Sequence, residues 1–416
     1  MLGRREFLIS ALGAGAAGAV ALKSGALGTA SGSAVDPRSY GARGNGVSND
    51  LEPLNRAFAE AQRSGRPIDG GNAVFAVAGT LRVTKAHAPR IRSLRLRQIA
   101  PANGVSTLHL EKCEAIEVDR LEIDLGRSAR IGDMNSTFGL WIEGGSNHKV
   151  RNVEAFGDGK NSLIAIWATI ASSYDNLVVR DAHFEDAAAT DDVMQGIWLY
   201  GNRDCILHNP VVSDLTGNAS YVGRKFANLR TRGIALSKNT RVSIVEPKVR
   251  NVDQGIDVTG SDGNLQCLIN GGHTSDCGSV GVKFANSAVG CKVVGHVAER
   301  CGMYGFMASG PAEANLPFKT QDCTFLDCTS LDTGYNHISF PAPSGFIIRR
   351  GDYDLDYPKR IRFIRCRAID RQAARTMKYG FYSEVPASAR SEDGNALVGC
   401  TSEGQARASQ SGAWRS

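Results

Sequence analysis

One short phrase recurs along this chain: a glycine, an apolar residue, any residue, then a second apolar residue. It reads Gly139-Leu140-Trp141-Ile142, Gly196-Ile197-Trp198-Leu199, Gly233-Ile234-Ala235-Leu236, Gly255-Ile256-Asp257-Val258 and Gly281-Val282-Lys283-Phe284. Later copies are Gly305-Phe306-Met307-Ala308, Gly345-Phe346-Ile347-Ile348 and Gly380-Phe381-Tyr382-Ser383. The step is 22 residues from Gly233 to Gly255, 26 to Gly281 and 24 to Gly305. A second apolar run follows each phrase, such as Val242-Ser243-Ile244-Val245, and then a turn rich in Asn, Asp and Gly. This is the layout of a parallel β-helix, a coil with two or three short strands per turn. One coil cannot bury its apolar residues, but stacked coils pile them into a continuous core. An antiparallel sandwich also has short alternating strands, yet it does not predict glycine at a fixed phase. Gly233, Gly255, Gly281 and Gly305 should therefore line up along the coil axis.

Such a coil grows without forming a second core, which suits 416 residues with 47 glycines and 13 prolines. The net charge of +6 permits an acidic polymer as partner without demanding one. There are ten cysteines. Cys267 and Cys291 are 24 residues apart, as are Cys277 and Cys301, which puts each pair on neighbouring rungs. Most stand where other rungs carry Val or Ile, so buried thiols are expected, although rung spacing also allows disulfides. No C-x-x-C spacing suggests a metal site.

Arg4-Arg5-Glu6-Phe7-Leu8, followed by a soft Ala- and Gly-rich run to Ala21, resembles a twin-arginine export signal. Gly28-Thr29-Ala30 or Ser33-Ala34 offers a cleavage point. The resemblance implies export by the twin-arginine machinery and a periplasmic or secreted product, and no segment promises stable membrane insertion. The expected organisation is a signal at 1–34, the coil at 35–401 and a polar tail at 402–416. The stretch Tyr40-Gly41-Ala42-Arg43-Gly44-Asn45-Gly46, with Ser48-Asn49-Asp50 offering caps for a helix through Ala57 to Gln62, is similar to the opening of the pectate-lyase-like superfamily. That resemblance implies an all-β fold, a right-handed single-stranded parallel β-helix with an N-terminal capping helix, and a bias toward carbohydrate.

In each phrase the residue between the two apolar ones points outward. The stacked column reads Trp141, Trp198, Ala235, Asp257, Lys283, Met307, Ile347 and Tyr382; the next reads Glu143, Tyr200, Ser237, Thr259, Ala285, Ser309, Arg349 and Glu384. The run Ile164 to Trp167 is a further rung whose register the pattern leaves open. Exposed indoles need a cover, and sugar rings have apolar faces, so Trp141, Trp198 and Tyr200 are candidate sugar contacts. The insertion from Thr216 to Arg232 carries Arg224, Lys225 and Arg232, an arm suited to an acidic chain. Asp257 and Lys283 fall on successive rungs, with Asp253 in the turn before the first and His273 in the turn before the second. An acid, a base and a cation in one patch are what glycosidic cleavage, or proton removal beside a uronate, requires. Asp257→Asn should then cut turnover with little loss of stability.

Asp253-Gln254-Gly255-Ile256-Asp257 with Gly271-Gly272-His273 is similar to the polygalacturonase arrangement of an Asp pair and Gly-His-Gly. Here the pair is Asp-Gln, the second Gly is Thr274, and the Arg-Ile-Lys element has no clear copy. Asp191-Asp192 is an intact pair and the reserve candidate. Mannuronan epimerases carry Asp where Tyr304-Gly305-Phe306-Met307 has Met, which argues against epimerisation. Asp352, Asp354 and Asp356 have a spacing that permits calcium; otherwise no cofactor is implied. No dinucleotide or nucleic-acid motif is present. The reading is a polysaccharide lyase or glycoside hydrolase; the alternative is a non-catalytic polysaccharide-binding or assembly protein using the same groove.

Overall fold

The computed structural model describes residues 33–100, 104–126, 138–158, 162–184, 194–217, 231–260, 263–311, 319–335, 342–351, 357–385 and 394–411. The paired arginines Arg4 and Arg5, Asp191 and Asp192, Arg224 and Lys225, and the Asp352–Asp354–Asp356 run lie outside the described residues.

The repeating phrase forms one parallel sheet of twelve strands, in which Thr231–Ser237, Gln254–Val258, Val280–Phe284 and Tyr304–Ser309 are consecutive members. Ile234, Ile256, Val282 and Phe306 stand in register, as the period requires. The second apolar run and the strand after it form two further strand lines, joined into a 21-stranded parallel sheet. These sheets wind into a right-handed single-stranded parallel β-helix. Its interior is one continuous core running from Val35 to Val385. The N-terminal helix, Leu51–Ser64, buries Leu54, Ala57, Phe58 and Ala61. Among the three capping candidates it is Asn49 whose Oδ1 accepts from the Leu51 backbone N–H, at 3.2 Å. Asp50 makes no side-chain cap bond; its carboxylate accepts from the Arg43 and Gly44 backbone N–H groups at 2.7 and 3.0 Å.

The glycine phase has a steric cause. A Cβ on Gly255 would lie 2.4 Å from the Gly281 carbonyl oxygen, and one on Gly281 would lie 2.7 Å from that of Gly305. Gly196, Gly233, Gly305 and Gly345 repeat this close approach to the next rung. The rung at Ser162–Trp167 has Leu163 in place of glycine, which explains why the phrase hides it. Single left-handed residues turn the corner between the second and third strand lines, among them Asn209, Glu246, Asp327 and Arg365. Asp and Asn tolerate that conformation best, and at the exposed corners charge pairs stack as well, as in Arg365 to Asp327 at 2.7 Å.

Polar side chains also stack inside. The Asn202 N–H donates to Asn239 Oδ1 at 3.0 Å, and the Asn239 N–H to Asn264 Oδ1 at 3.2 Å, so a buried amide column stays satisfied. The cysteines are free thiols, buried except for the half-buried Cys400. The Cys301 thiol on the next rung, together with burial, pushes the Cys277 thiol up. The segment read as a tail from Ser402 supplies more coil: Thr401–Glu403 and Ala408–Ser411 continue the two sheets.

Two predictions follow from this packing. Gly255→Ala places a methyl against backbone that cannot yield without shifting a rung, and overpacking typically costs ~1–3 kcal/mol, so denaturant unfolding should show a loss in that range. An unchanged midpoint would mean that the rungs separate freely. His296 is fully buried, with Nδ1 2.8 Å from the Gly271 carbonyl and Nε2 3.2 Å from Thr274 Oγ1. Burial pulls its pKa down to about 4 from 6.5. The unfolded chain therefore binds the proton more readily, and stability is lost as pH falls from 6.5 through about 4. Thermal melts across that window should show the slope, and His296→Gln should flatten it.

Candidate functional site

The outer face of the twelve-stranded sheet carries three regions in sequence along the axis. At the N-terminal end lies an aromatic wall. Register pairs His109 with Trp141 and Glu111 with Glu143; the next rungs bring Ala165 and Trp167, then Trp198 and Tyr200. Trp167 lies 5.0 Å from Trp141, 4.7 Å from Trp198 and 5.6 Å from Tyr200, ring centre to ring centre. Trp167 meets both tryptophans edge to face and Tyr200 at a tilt, so each ring covers part of its neighbour while part stays open. Trp141, Trp198 and Tyr200 thus lie together as the column order requires, and all are half-buried. Trp167 joins them because its rung aligns Trp167 with Glu143 and Tyr200.

His109 closes this wall. Its ring stacks on Trp141 at 3.9 Å with a 4° tilt, and its Nε2 lies 2.9 Å from Glu143 Oε2. Burial pulls its pKa below the usual histidine range, opposed by Glu143. Thr84 Oγ1 donates to Glu111 Oε2 at 3.3 Å, and Arg82 lies 3.8 Å from the same oxygen. The repeating phrase misses His109 and Glu111 because Leu108-His109-Leu110 has no glycine ahead of it. Apolar alternation alone would have extended the column.

The middle region is an ion cluster. Asp257 Oδ2 lies 2.9 Å from Arg232 Nε, and Asp257 Oδ1 lies 3.5 Å from Lys283 Nζ. Lys283 also donates to Gln254 Oε1 at 3.4 Å. Asp257 and Lys283 are therefore neighbours, as their rung positions imply. Burial lowers the Lys283 pKa, partly offset by Asp257. Asp253 is buried just ahead of the strand, and its backbone N–H donates to Thr231 Oγ1 at 2.9 Å.

Three expectations are corrected. Asp257 is fully covered, with 0% of its side chain exposed, whereas the column order alone leaves it open. Arg232 is no arm residue: it sits in Thr231–Ser237, paired with Gln254, and holds Asp257. His273 is not in the turn before Lys283. It lies in His273–Ser275 on the 21-stranded sheet, in register with Lys248 and Val297, and pairs with Glu299 at 3.1 Å. A rung changes direction at its corners, so nearness in sequence there does not mean a shared face.

Beyond Lys283 the column that contains it turns apolar. Val280, Tyr304, Met307 and Ile347 form a second buried cluster outside the coil, flanked by Met303 and Tyr382.

No family model matches the chain, and no curated protein matches it in sequence. Among solved structures it is similar to PfbA, a surface adhesin of Streptococcus pneumoniae, with TM-score 0.53 and 11% identity over 91% of this chain and 93% of that one. It is also similar to the Dettilon tailspike protein, with TM-score 0.49 and 15% identity over 88% and 66%. A third is the A-module of a mannuronan C-5 epimerase from Azotobacter vinelandii, with TM-score 0.45 and 16% identity over 92% and 99%. At these identities the likeness is one of fold.

The buried cluster reverses the stability expected of its variants. Removing one partner of a buried ion pair typically costs ~3–5 kcal/mol, so Asp257→Asn should lower unfolding free energy by about 3 kcal/mol by leaving Arg232 and Lys283 facing a neutral amide. Lys283→Met should lose less, because Arg232 still holds the carboxylate. Full stability of Asp257→Asn in denaturant titrations would show that both cations turn to solvent instead.

Proposed function

We propose that this chain is an exported carbohydrate-active enzyme that takes an acidic polysaccharide along the outer face of the twelve-stranded sheet and cleaves it. The observation that carries the reading is the half-open wall of Trp141, Trp167, Trp198 and Tyr200, continuous with acid and base groups on one rigid face. Apolar ring faces of sugars suit such a surface, and aromatic side chains present it at low entropic cost. Arg232 and Lys283 keep 23% and 17% of their side chains open, so with Asp257 anchoring them they offer cation edges to a sugar carboxylate. Glu111, His109 and Glu143 supply proton-transfer groups beside the wall, the chemistry that elimination and hydrolysis share.

A second reading, a polysaccharide-binding or assembly protein without turnover, is favoured by the complete burial of Asp257. Both readings require binding at the wall. Affinity electrophoresis over a panel of acidic polysaccharides should show retention of the parent. Trp198→Ala should weaken it about tenfold, equivalent to ~1.4 kcal/mol. Unchanged retention of Trp198→Ala, or none by the parent, would remove the wall as the binding surface. Release of reducing ends separates the enzyme from the binder.

A further inference from the structure

We propose that Glu143 and Glu111 form the carboxyl pair that hydrolyses a glycosidic bond in a sugar chain lying on the aromatic wall. Glu143 acts as proton donor and Glu111 as nucleophile, with His109 positioning Glu143. This rests on the reading of that face as a polysaccharide groove.

The two glutamates are in-register partners on adjacent strands, so their backbones lie about 5 Å apart, which allows the close carboxyl spacing that retention requires. Both are partly open, with 22% of the Glu111 and 32% of the Glu143 side chain exposed, unlike the sealed Asp257. Their surroundings differ. Glu111 faces Arg82 at 3.8 Å and Lys112 at 4.0 Å and accepts from Thr84 Oγ1. Glu143 instead faces a buried imidazole at 2.9 Å. Burial disfavours charge on His109, Arg82 acts in the same sense, and Glu143 and Glu111 act against it. Glu143 thus has an imidazole beside it, while Glu111 stands among cations. Two carboxyl groups with unlike neighbours are how acid and nucleophile are told apart.

An independent observation points to the same place. His109 Nδ1, Trp141 Nε1 and Trp167 Nε1 are covered and have no hydrogen-bond partner among the described residues. His109 is itself 2% exposed. Buried polar atoms left unpaired are uncommon and call for an explanation. These three residues lie on the two rungs that carry the carboxyl pair and on the rung beside them.

In the first step the proton passes from Glu143 to the glycosidic oxygen as the bond from that oxygen to the anomeric carbon breaks. The Glu111 carboxylate bonds to that carbon. In the second step Glu143 takes a proton from water, whose oxygen bonds to the anomeric carbon and releases Glu111. One water is consumed and one reducing end appears per bond, with no unsaturated sugar.

The test measures binding and cleavage separately on the full chain, using a panel of acidic polysaccharides. The parent should release reducing ends without new absorbance at roughly 235 nm, where an unsaturated uronate absorbs. Glu143→Gln and Glu111→Gln should each lower turnover by ~10²–10⁴-fold while retaining polysaccharide within about twofold and melting as the parent does. His109→Gln should move the alkaline limb of the pH profile, whereas a merely structural histidine would lower the rate equally at every pH. If a glutamine variant melts early, Glu111→Ala with added azide keeps the test: azide replaces the nucleophile and yields a glycosyl azide. Turnover of both glutamine variants within about threefold of the parent overturns the inference, since a catalytic carboxyl contributes far more. So does absorbance at roughly 235 nm from the parent, because elimination forms that chromophore. A parent that binds without cleaving also overturns it and leaves the binding surface standing. A parent that does not bind removes the groove itself.

Discussion

The close approach of one rung's backbone to the next holds this molecule together. Parallel strands spaced about 4.8 Å apart share hydrogen bonds along the whole coil, and on most rungs the entry to the strand of the twelve-stranded sheet comes so near its neighbour that a Cβ there would strike a carbonyl oxygen. That contact puts glycine at a constant phase. It also puts like positions above like positions, so every inward residue meets its counterpart and the core runs unbroken. Asn202, Asn239 and Asn264 show the same rule for polar groups: each amide is satisfied by the rung beside it.

The same stacking converts a one-dimensional order into a surface. On the outer face of the twelve-stranded sheet, neighbours in a column belong to different rungs and need not match. An aromatic wall, an ion cluster and an apolar patch follow one another along the axis. His109 and Asp257 are five rungs apart, roughly 24 Å at rung spacing, so a ligand touching both must be long. Rigid strands hold these side chains more firmly than loops would, which matters most for Glu143 and its histidine.

Much of this was legible before the structure. The glycine spacing carried the coil, and alternation within each phrase carried the adjacency of Asp257 and Lys283 and the grouping of Trp141, Trp198 and Tyr200. Legibility failed where the phrase lost its glycine, as at Leu108-His109-Leu110 and at Leu163, because apolar alternation without a phase marker does not fix register. It failed again at His273, where a corner sends the chain onto another sheet.

The sequence by itself determined the coil, its core and the order of side chains along the outer columns, since these follow from the spacing of small and apolar residues and from the geometry of parallel strands. Only the tertiary structure decided which of those side chains are open. Arg232, one residue before its glycine, reaches diagonally to an aspartate on the next rung, and Asp257 is sealed beneath its two cations while Glu111 and Glu143 stay partly exposed. Burial depends on what covers a position, and a repeat that places every rung alike carries no record of the cover.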